Sequence, residues 1–348
     1  MQKQSEQKML YLCRRDIEQI CQELDSVEII REVFKLHGSS QTVLPDEAYL
    51  TWRNSYQESV RSLNMPAYVG GSINRAGTKI INGNINNPSR GLPRANGLTL
   101  LYDDASAHIL SIMEAAYISS LRTASVSMLA LECVKDVPVS CAAIIGAGVL
   151  ARAHIELLLK RLPELRTIQI YDMSQQRVQE LHDQIEGLLQ QKNVSFNRVQ
   201  SAEEAIVAAQ LIIPATTTTV GYIRHDWLQR GAILINVSLD DPLPEVVLRA
   251  DRIIVDDWGL VRSDSRRLIG RMYRQGQVVG PGERVETSDQ RQIDAELGDI
   301  VTGKKRGRIS TDDIILVNPF GLAIEDIALA AHVYQSALQK NIGIWLEC

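Results

Sequence analysis

The chain has 348 residues, 45% hydrophobic and 23% charged, with a formal net charge of −5. That is about two domains of ordinary soluble composition. The acidic balance leaves no nucleic-acid footprint and no apolar run reaches the length of a membrane span, so neither a nucleic acid nor a membrane is an expected partner. The N-terminus, MQKQSEQKMLYLCRRDIEQI, is too polar for a signal peptide. Cys13, Cys21, Cys133, Cys141 and Cys348 are scattered and odd in number, which points to reduced thiols and a cytoplasmic protein.

In chain order, residues 14–37 (RRDIEQICQELDSVEIIREVFKLH) read as largely helical. Residues 69–97 (VGGSINRAGTKIINGNINNPSRGLPRANG) read as turn-rich. Two strand-like runs follow, LTLLYD and HILSIME, joined by a short turn at Asp103-Asp104. AYISSLRTASVSMLALECV is a long helix leading into the next domain. Strand and helix then alternate: SCAAIIG, VLARAHIELLLKRL, TIQIYD, SQQRVQELHDQIEGLLQQK, SFNRV, SAEEAIVAA and QLIIPATT, with further strands at AILINVS, RIIVDD and IILVN. This alternation predicts a doubly wound parallel sheet. The last segment, PFGLAIEDIALAAHVYQSALQKN, is an amphipathic helix that returns to the first domain. The expected fold class is therefore α/β: a doubly wound Rossmann domain, residues 131–318, inserted in an α+β domain of residues 1–130 and 319–348.

Gly146-Ala147-Gly148-Val149-Leu150-Ala151 lies between a buried strand and a helix. Gly146 suits the tight turn, Gly148 the approach of a pyrophosphate to the helix N-terminus, and Ala151 close helix–strand packing. Asp172 ends the next strand, where a carboxylate accepts from the adenosine ribose hydroxyls and repels a 2′-phosphate; NAD is favoured over NADP, with Arg177 as the counter-signal. Ligands of such sheets bind beyond the strands' carboxyl ends. Thr216 and Thr217 in PATTTTVG, Val237 and Ser238 in NVSLDD, and Asn318 after IILV are accordingly expected at the cofactor.

No metal site is expected, because the six histidines are isolated from one another. GKKRGR reads as a solvated loop. Cations do stand out amid the turns of the first domain: Lys79, Arg90 and Arg94. Arg122 lies in a small-residue, apolar helix, where it needs an anion, either a ligand or an internal partner such as Glu114 or Glu325.

GTKIINGN…NP, SLRTASVS, GAGVLA and GLAIED together resemble the ornithine cyclodeaminase and μ-crystallin family over essentially the whole chain. The start MLYLCRRDIEQI and the end NPFGLAIEDI…YQSALQKNIG are similar to its NAD-dependent, L-2,3-diaminopropionate-forming branch, which serves siderophore and peptide-antibiotic assembly. The resemblance implies that Lys79 lies beside the substrate carboxylate and reacting carbon, that Arg122 binds that carboxylate, and that Thr123 touches the cofactor. A further carboxylate-binding Arg matches either Arg53 or Arg61, and Arg94 suits an additional carboxylate. The catalytic Asp of the cyclodeaminases matches Asp240, with Pro242 two residues on, and Asp241 is the alternative. The segment after it is shorter than in cyclodeaminases, so substrate recognition differs there. A homodimer formed through the first, substrate-binding domain is implied as well.

The implied reaction is oxidation of N-(1-amino-1-carboxy-2-ethyl)-L-glutamate at its glutamyl Cα, then hydrolysis to 2-oxoglutarate and L-2,3-diaminopropionate with NADH formed. A carboxylate base beside the amine and a cation beside the carboxylate serve that chemistry. Ornithine or lysine cyclodeamination, and non-catalytic NAD(P) binding as in μ-crystallin, are the alternatives.

Overall fold

The computed structural model describes residues 8–347. Residues 1–7, the most polar part of the N-terminus, and Cys348 lie outside the described residues. The chain divides into two compact units, residues 1–122 with 322–348 and residues 123–321.

From the N-terminus, β1 (Lys8–Leu12) leads into α1 (Arg14–Cys21) and α2 (Ser26–Gly38). Then come β2 (Thr42–Val43), β3 (Ala48–Arg53), β4 (Ser59–Val69), β5 (Arg75–Gly83), β6 (Ala95–Tyr102) and β7 (Ile109–Glu114). The division between the units falls within α3 (Ala115–Val134). The second unit runs through β8 (Cys141–Ile145), α4 (Val149–Arg161), β9 (Thr167–Tyr171), α5 (Gln175–Lys192), β10 (Ser195–Arg198), α6 (Ala202–Val207) and β11 (Leu211–Pro214). It continues through β12 (Ile233–Ile235), α7 (Pro244–Arg249), β13 (Arg252–Val255), α8 (Trp258–Ser263) and α9 (Leu268–Arg274). Short elements β14 (Val278–Val279), β15 (Arg291–Gln292), β16 (Ala295–Glu296) and α10 (Leu297–Val301) precede β17 (Ile315–Asn318). Finally α11 (Ala323–Lys340) and β18 (Ile344–Glu347) complete the first unit.

The stretch 69–97, expected as turns, carries β5 instead, and β3 and β4 precede it. The glycines explain the difference. A Cβ at Gly77 would lie 2.3 Å from the Leu100 carbonyl oxygen, and one at Gly97 1.9 Å from that of Ile80. These glycines let strands approach closely, a use that composition alone cannot distinguish from turning.

In the first unit the strand order is β18-β1-β7-β6-β5-β4-β2, with β3 also paired to β4. Antiparallel register aligns Met65, Lys79, Thr99 and Met113 in one row across β4 to β7. Opposed residues share a face, so this row points one way. All four are buried, and α11 contacts β4, β5 and β6. Lys79 is thus the one charged member of an otherwise apolar and hydroxyl-bearing row.

The second unit is a parallel sheet in the order β10-β9-β8-β11-β12-β17-β13-β16. The chain winds outward from β8 through β9 to β10, then restarts at β11 on the other side of β8. That reversal is the switch point at which such sheets bind ligands. His154, among the isolated histidines, is a core residue of α4: Nδ1 donates to the Leu150 carbonyl at 2.7 Å, and Nε2 accepts from Ser127 Oγ at 2.9 Å. Burial pulls it down to about 4, so it stays neutral.

Candidate functional site

At the switch point, Gly146 has φ +99°, and a Cβ there would stand 2.8 Å from the Ala215 carbonyl oxygen. Only glycine turns this tightly against β11. Gly148 is the N-cap of α4 and makes no side-chain cap, while a Cβ on it would meet nothing within 4 Å. The first N–H groups of α4, from Val149 and Leu150 onward, therefore have open space before them, which suits a pyrophosphate. Asp172 Oδ2 accepts from the Ala147 N–H at 2.8 Å and Oδ1 from the Ser174 N–H at 2.8 Å. It thereby fixes the glycine loop, and each oxygen retains a lone pair for a ribose hydroxyl. Arg177 is exposed in the first turn of α5. The residues present fit a dinucleotide.

The loops after β11 and β12 meet at Asp241. This wholly buried carboxylate accepts from Thr216 Oγ1 at 2.7 Å, from Tyr222 OH at 2.8 Å, and from Ser238 Oγ. Burial raises its pKa, and the three hydroxyls act against that rise. Its carbonyl also takes the N–H groups of Tyr222 and Ile223, each at 2.9 Å. Asp240 differs: Arg271 Nη2 reaches its Oδ1 at 2.8 Å. Asn236 Nδ2 donates to Asn318 Oδ1 at 2.8 Å, tying the ends of β12 and β17. Thr217 is exposed, Val237 is half-buried at the carboxyl end of β12, and Thr123 lies in α3.

The first unit gathers a second set of groups. Lys79 Nζ lies 2.7 Å from Asp326 Oδ2 and 3.3 Å from Ser119 Oγ. Arg122 Nη1 lies 2.7 Å from Glu325 Oε2, and its Nε 3.3 Å from Asp326 Oδ1. All four charged residues are buried. Burial first, and the neighbouring Arg122 charge second, depress the pKa of Lys79, while Asp326 opposes this. Of the two internal partners weighed for Arg122, Glu325 makes the contact, and Glu114 caps α3 through the N–H groups of Ala116 and Tyr117.

The remaining arginines separate by role. Arg53 Nη1 donates to the Gln57 carbonyl at 2.7 Å and braces the β3–β4 turn. Arg90 pairs with Glu58 and stacks over Tyr56 at 4.6 Å, so it is a structural loop residue rather than a spare cation. Arg90 first, then Asn84 and Asn54, bring Glu58 down to about 2. Arg61, in β4, shares the sheet face of Lys79, and Arg94 lies close enough to feel its charge. Two like charges side by side favour an incoming anion.

Glu325 was weighed beside Glu114 as a partner of Arg122, whereas Asp326, Tyr222 and Arg271 were not singled out by role in the sequence. The signal for Glu325 and Asp326 is the Glu-Asp pair at the start of a long apolar helix, where a solvated face would carry more charge.

Fold and site together define a dinucleotide-binding α/β protein with a cation-rich α+β unit. The chain belongs to the ornithine cyclodeaminase/mu-crystallin family, whose model matches residues 7–341. It is 33% identical over 344 residues to the N-((2S)-2-amino-2-carboxyethyl)-L-glutamate dehydrogenase of Staphylococcus aureus, covering 97% of this chain and 98% of that one. The crystal structure of CmnK is 32% identical, with a TM-score of 0.87 and 98% of both chains covered. An archaeal alanine dehydrogenase dimer with bound NAD has a TM-score of 0.81 at 24% identity, covering 98% of this chain and 99% of that one.

Proposed function

We propose that this protein is an NAD-dependent dehydrogenase of N-(1-amino-1-carboxy-2-ethyl)-L-glutamate. It releases L-2,3-diaminopropionate, 2-oxoglutarate and NADH, and so feeds siderophore or peptide-antibiotic assembly. The observation that carries this reading is the Arg61–Arg94 pair, a cation site additional to the buried Lys79–Arg122 cluster. A tricarboxylate uses both; the terminal ammonium of ornithine would be repelled by the first. Likeness over nearly the whole length to a dehydrogenase named for this substrate supports it.

In this reading Lys79 and Arg122 hold the carboxylate on the reacting carbon, and Arg94 with Arg61 takes another. Asp240 accepts the proton of the secondary amine, because the nitrogen lone pair must be free for the Cα–H to leave as hydride. Bound NAD supplies the hydride acceptor. Water then adds to the C=N carbon, and cleavage of the C–N bond gives the oxo acid and the free amine. Lys79, held low by burial, exchanges protons during that step. The test is to supply the conjugate and ornithine separately with NAD. NADH and 2-oxoglutarate in equal amounts are expected from the conjugate, and no proline from ornithine. Proline and ammonia without net NADH would convert the reading to cyclodeaminase.

Asp172 makes the cofactor NAD rather than NADP, since a 2′-phosphate would face a carboxylate already committed to the loop. Fluorescence titration is expected to give NAD at least about tenfold tighter binding, ~1.4 kcal/mol; equal affinities would transfer the role to Arg177. The protein acts as a homodimer through the first unit. Leu50, Trp52 and Leu98 are exposed on the sheet face opposite Lys79. Light scattering should return twice 38.8 kDa. It works in the cytoplasm, in keeping with the free thiols of Cys13, Cys21 and Cys141.

A further inference from the structure

Asp240, the proposed base, is clamped. Arg271, on α9, holds it with Nη2–Oδ1 at 2.8 Å and Nη1–Oδ2 at 3.4 Å. The Asp240 side chain is 9% exposed and that of Arg271 39%, so the guanidinium is the outward half of the pair. The segment around it is unusually cationic. Arg262, Arg266, Arg267, Arg271 and Arg274 all lie within 262–274. Asp264 is taken by Arg266, with Nε–Oδ1 at 2.8 Å and Nη2–Oδ2 at 2.9 Å. Arg267 reaches the same carboxylate at 3.5 Å and stacks over Phe320 at 4.2 Å.

A carboxylate gripped at both oxygens is poorly placed to take a proton. Stripping Arg271 away with nothing in exchange would leave two partly buried charges unpaired. A second carboxylate removes that cost, because the planar guanidinium fork accepts one carboxylate in place of another. We propose that Arg271 is a specificity-determining residue: it takes a distal carboxylate of the substrate, one not attached to the reacting carbon, and in doing so releases Asp240. The inference rests on the tricarboxylate reading above. It makes the base available only when an anionic arm is bound, so a mono-carboxylate amino acid leaves Asp240 held.

Two analogues test it: the conjugate with its glutamyl γ-carboxylate as the carboxamide, and the conjugate with the carboxylate of the amino-carboxyethyl arm as the carboxamide. The wild-type enzyme should lose roughly ten- to hundredfold in kcat/KM with one of them, the loss expected for a charge-assisted hydrogen bond. Arg271→Gln should lose a similar factor with the parent conjugate and treat parent and that amide alike. Arg271→Lys should discriminate to an intermediate degree, and carries the comparison should Arg271→Gln not fold. The amide that ceases to matter identifies the carboxylate. NAD affinity should be unchanged in both variants. Equal losses for all three substrates would mean that Arg271 only positions Asp240, overturning the inference while the activity stands. No NADH from the parent with wild-type enzyme would overturn the functional reading itself, and this inference with it.

Discussion

Asp326→Ala is expected to cost about 3–5 kcal/mol of stability and to abolish turnover, because it removes one partner of a buried ion cluster. The wholly buried Asp326 carboxylate serves two cations, Lys79 Nζ at 2.7 Å and Arg122 Nε at 3.3 Å. Without it Lys79 faces the like charge of Arg122 in a buried site. Burial and Arg122 already push the Lys79 pKa down, and the opposing carboxylate would be gone. The ammonium would then shed its proton, and its hold on a substrate carboxylate with it. Urea unfolding reads the stability and NADH formation reads the turnover. NAD titration should stay near wild type, since the cluster and the glycine loop belong to different units. A double variant, Lys79→Met with Asp326→Ala, should regain much of the lost stability while remaining inactive, because both charges have gone. If Asp326→Ala unfolds at the wild-type urea concentration, the cluster is solvated and the assignment fails.

The dinucleotide loop was legible because three independent signals coincide there: an apolar run of strand length, glycines at a turn, and helical spacing after it. β8 and α4 form as that pattern demands, and Gly146 has the positive φ that excludes other residues. The α+β unit was harder. β5 escaped notice because its Gly77 and Gly83, and Gly97 on the neighbouring strand, serve strand contact rather than turning. The demand of Arg122 for an anion was legible, and so were two candidate suppliers, Glu114 and Glu325; only the fold decides between them, bringing Glu325 across 203 positions while Glu114 is consumed as a helix cap. Arg90 had the same surroundings in sequence as Arg94. Only the fold brings Glu58 against the first and Arg61 beside the second. Arg271 lay outside every motif, because a clamp between a loop and a helix separated by 31 positions has no period.

Asp240→Asn and Asp241→Ala should fail in different ways. Asparagine at 240 keeps an acceptor for Arg271 but no longer accepts a proton. The fold and NAD affinity should survive, while kcat falls by about 10²–10⁴, the usual worth of a general base. Alanine at 241 strips the acceptor from Thr216, Tyr222 and Ser238 together. Each buried hydroxyl left without a partner costs about 1–3 kcal/mol. Several kcal/mol should disappear from stability, and NAD affinity should fall too, because Asp241 ties the loop after β11 to the loop after β12. Asp241→Asn retains a carbonyl for one or two of those hydroxyls and should sit between wild type and Asp241→Ala in both measurements. The physical ground for the contrast is the partner type. Three hydroxyls and complete burial describe a knot that must not change charge, whereas a half-exposed guanidinium is a partner that can be exchanged. Loss of turnover in Asp241→Asn with stability and NAD affinity intact, beside an active Asp240→Asn, would transfer the base to Asp241.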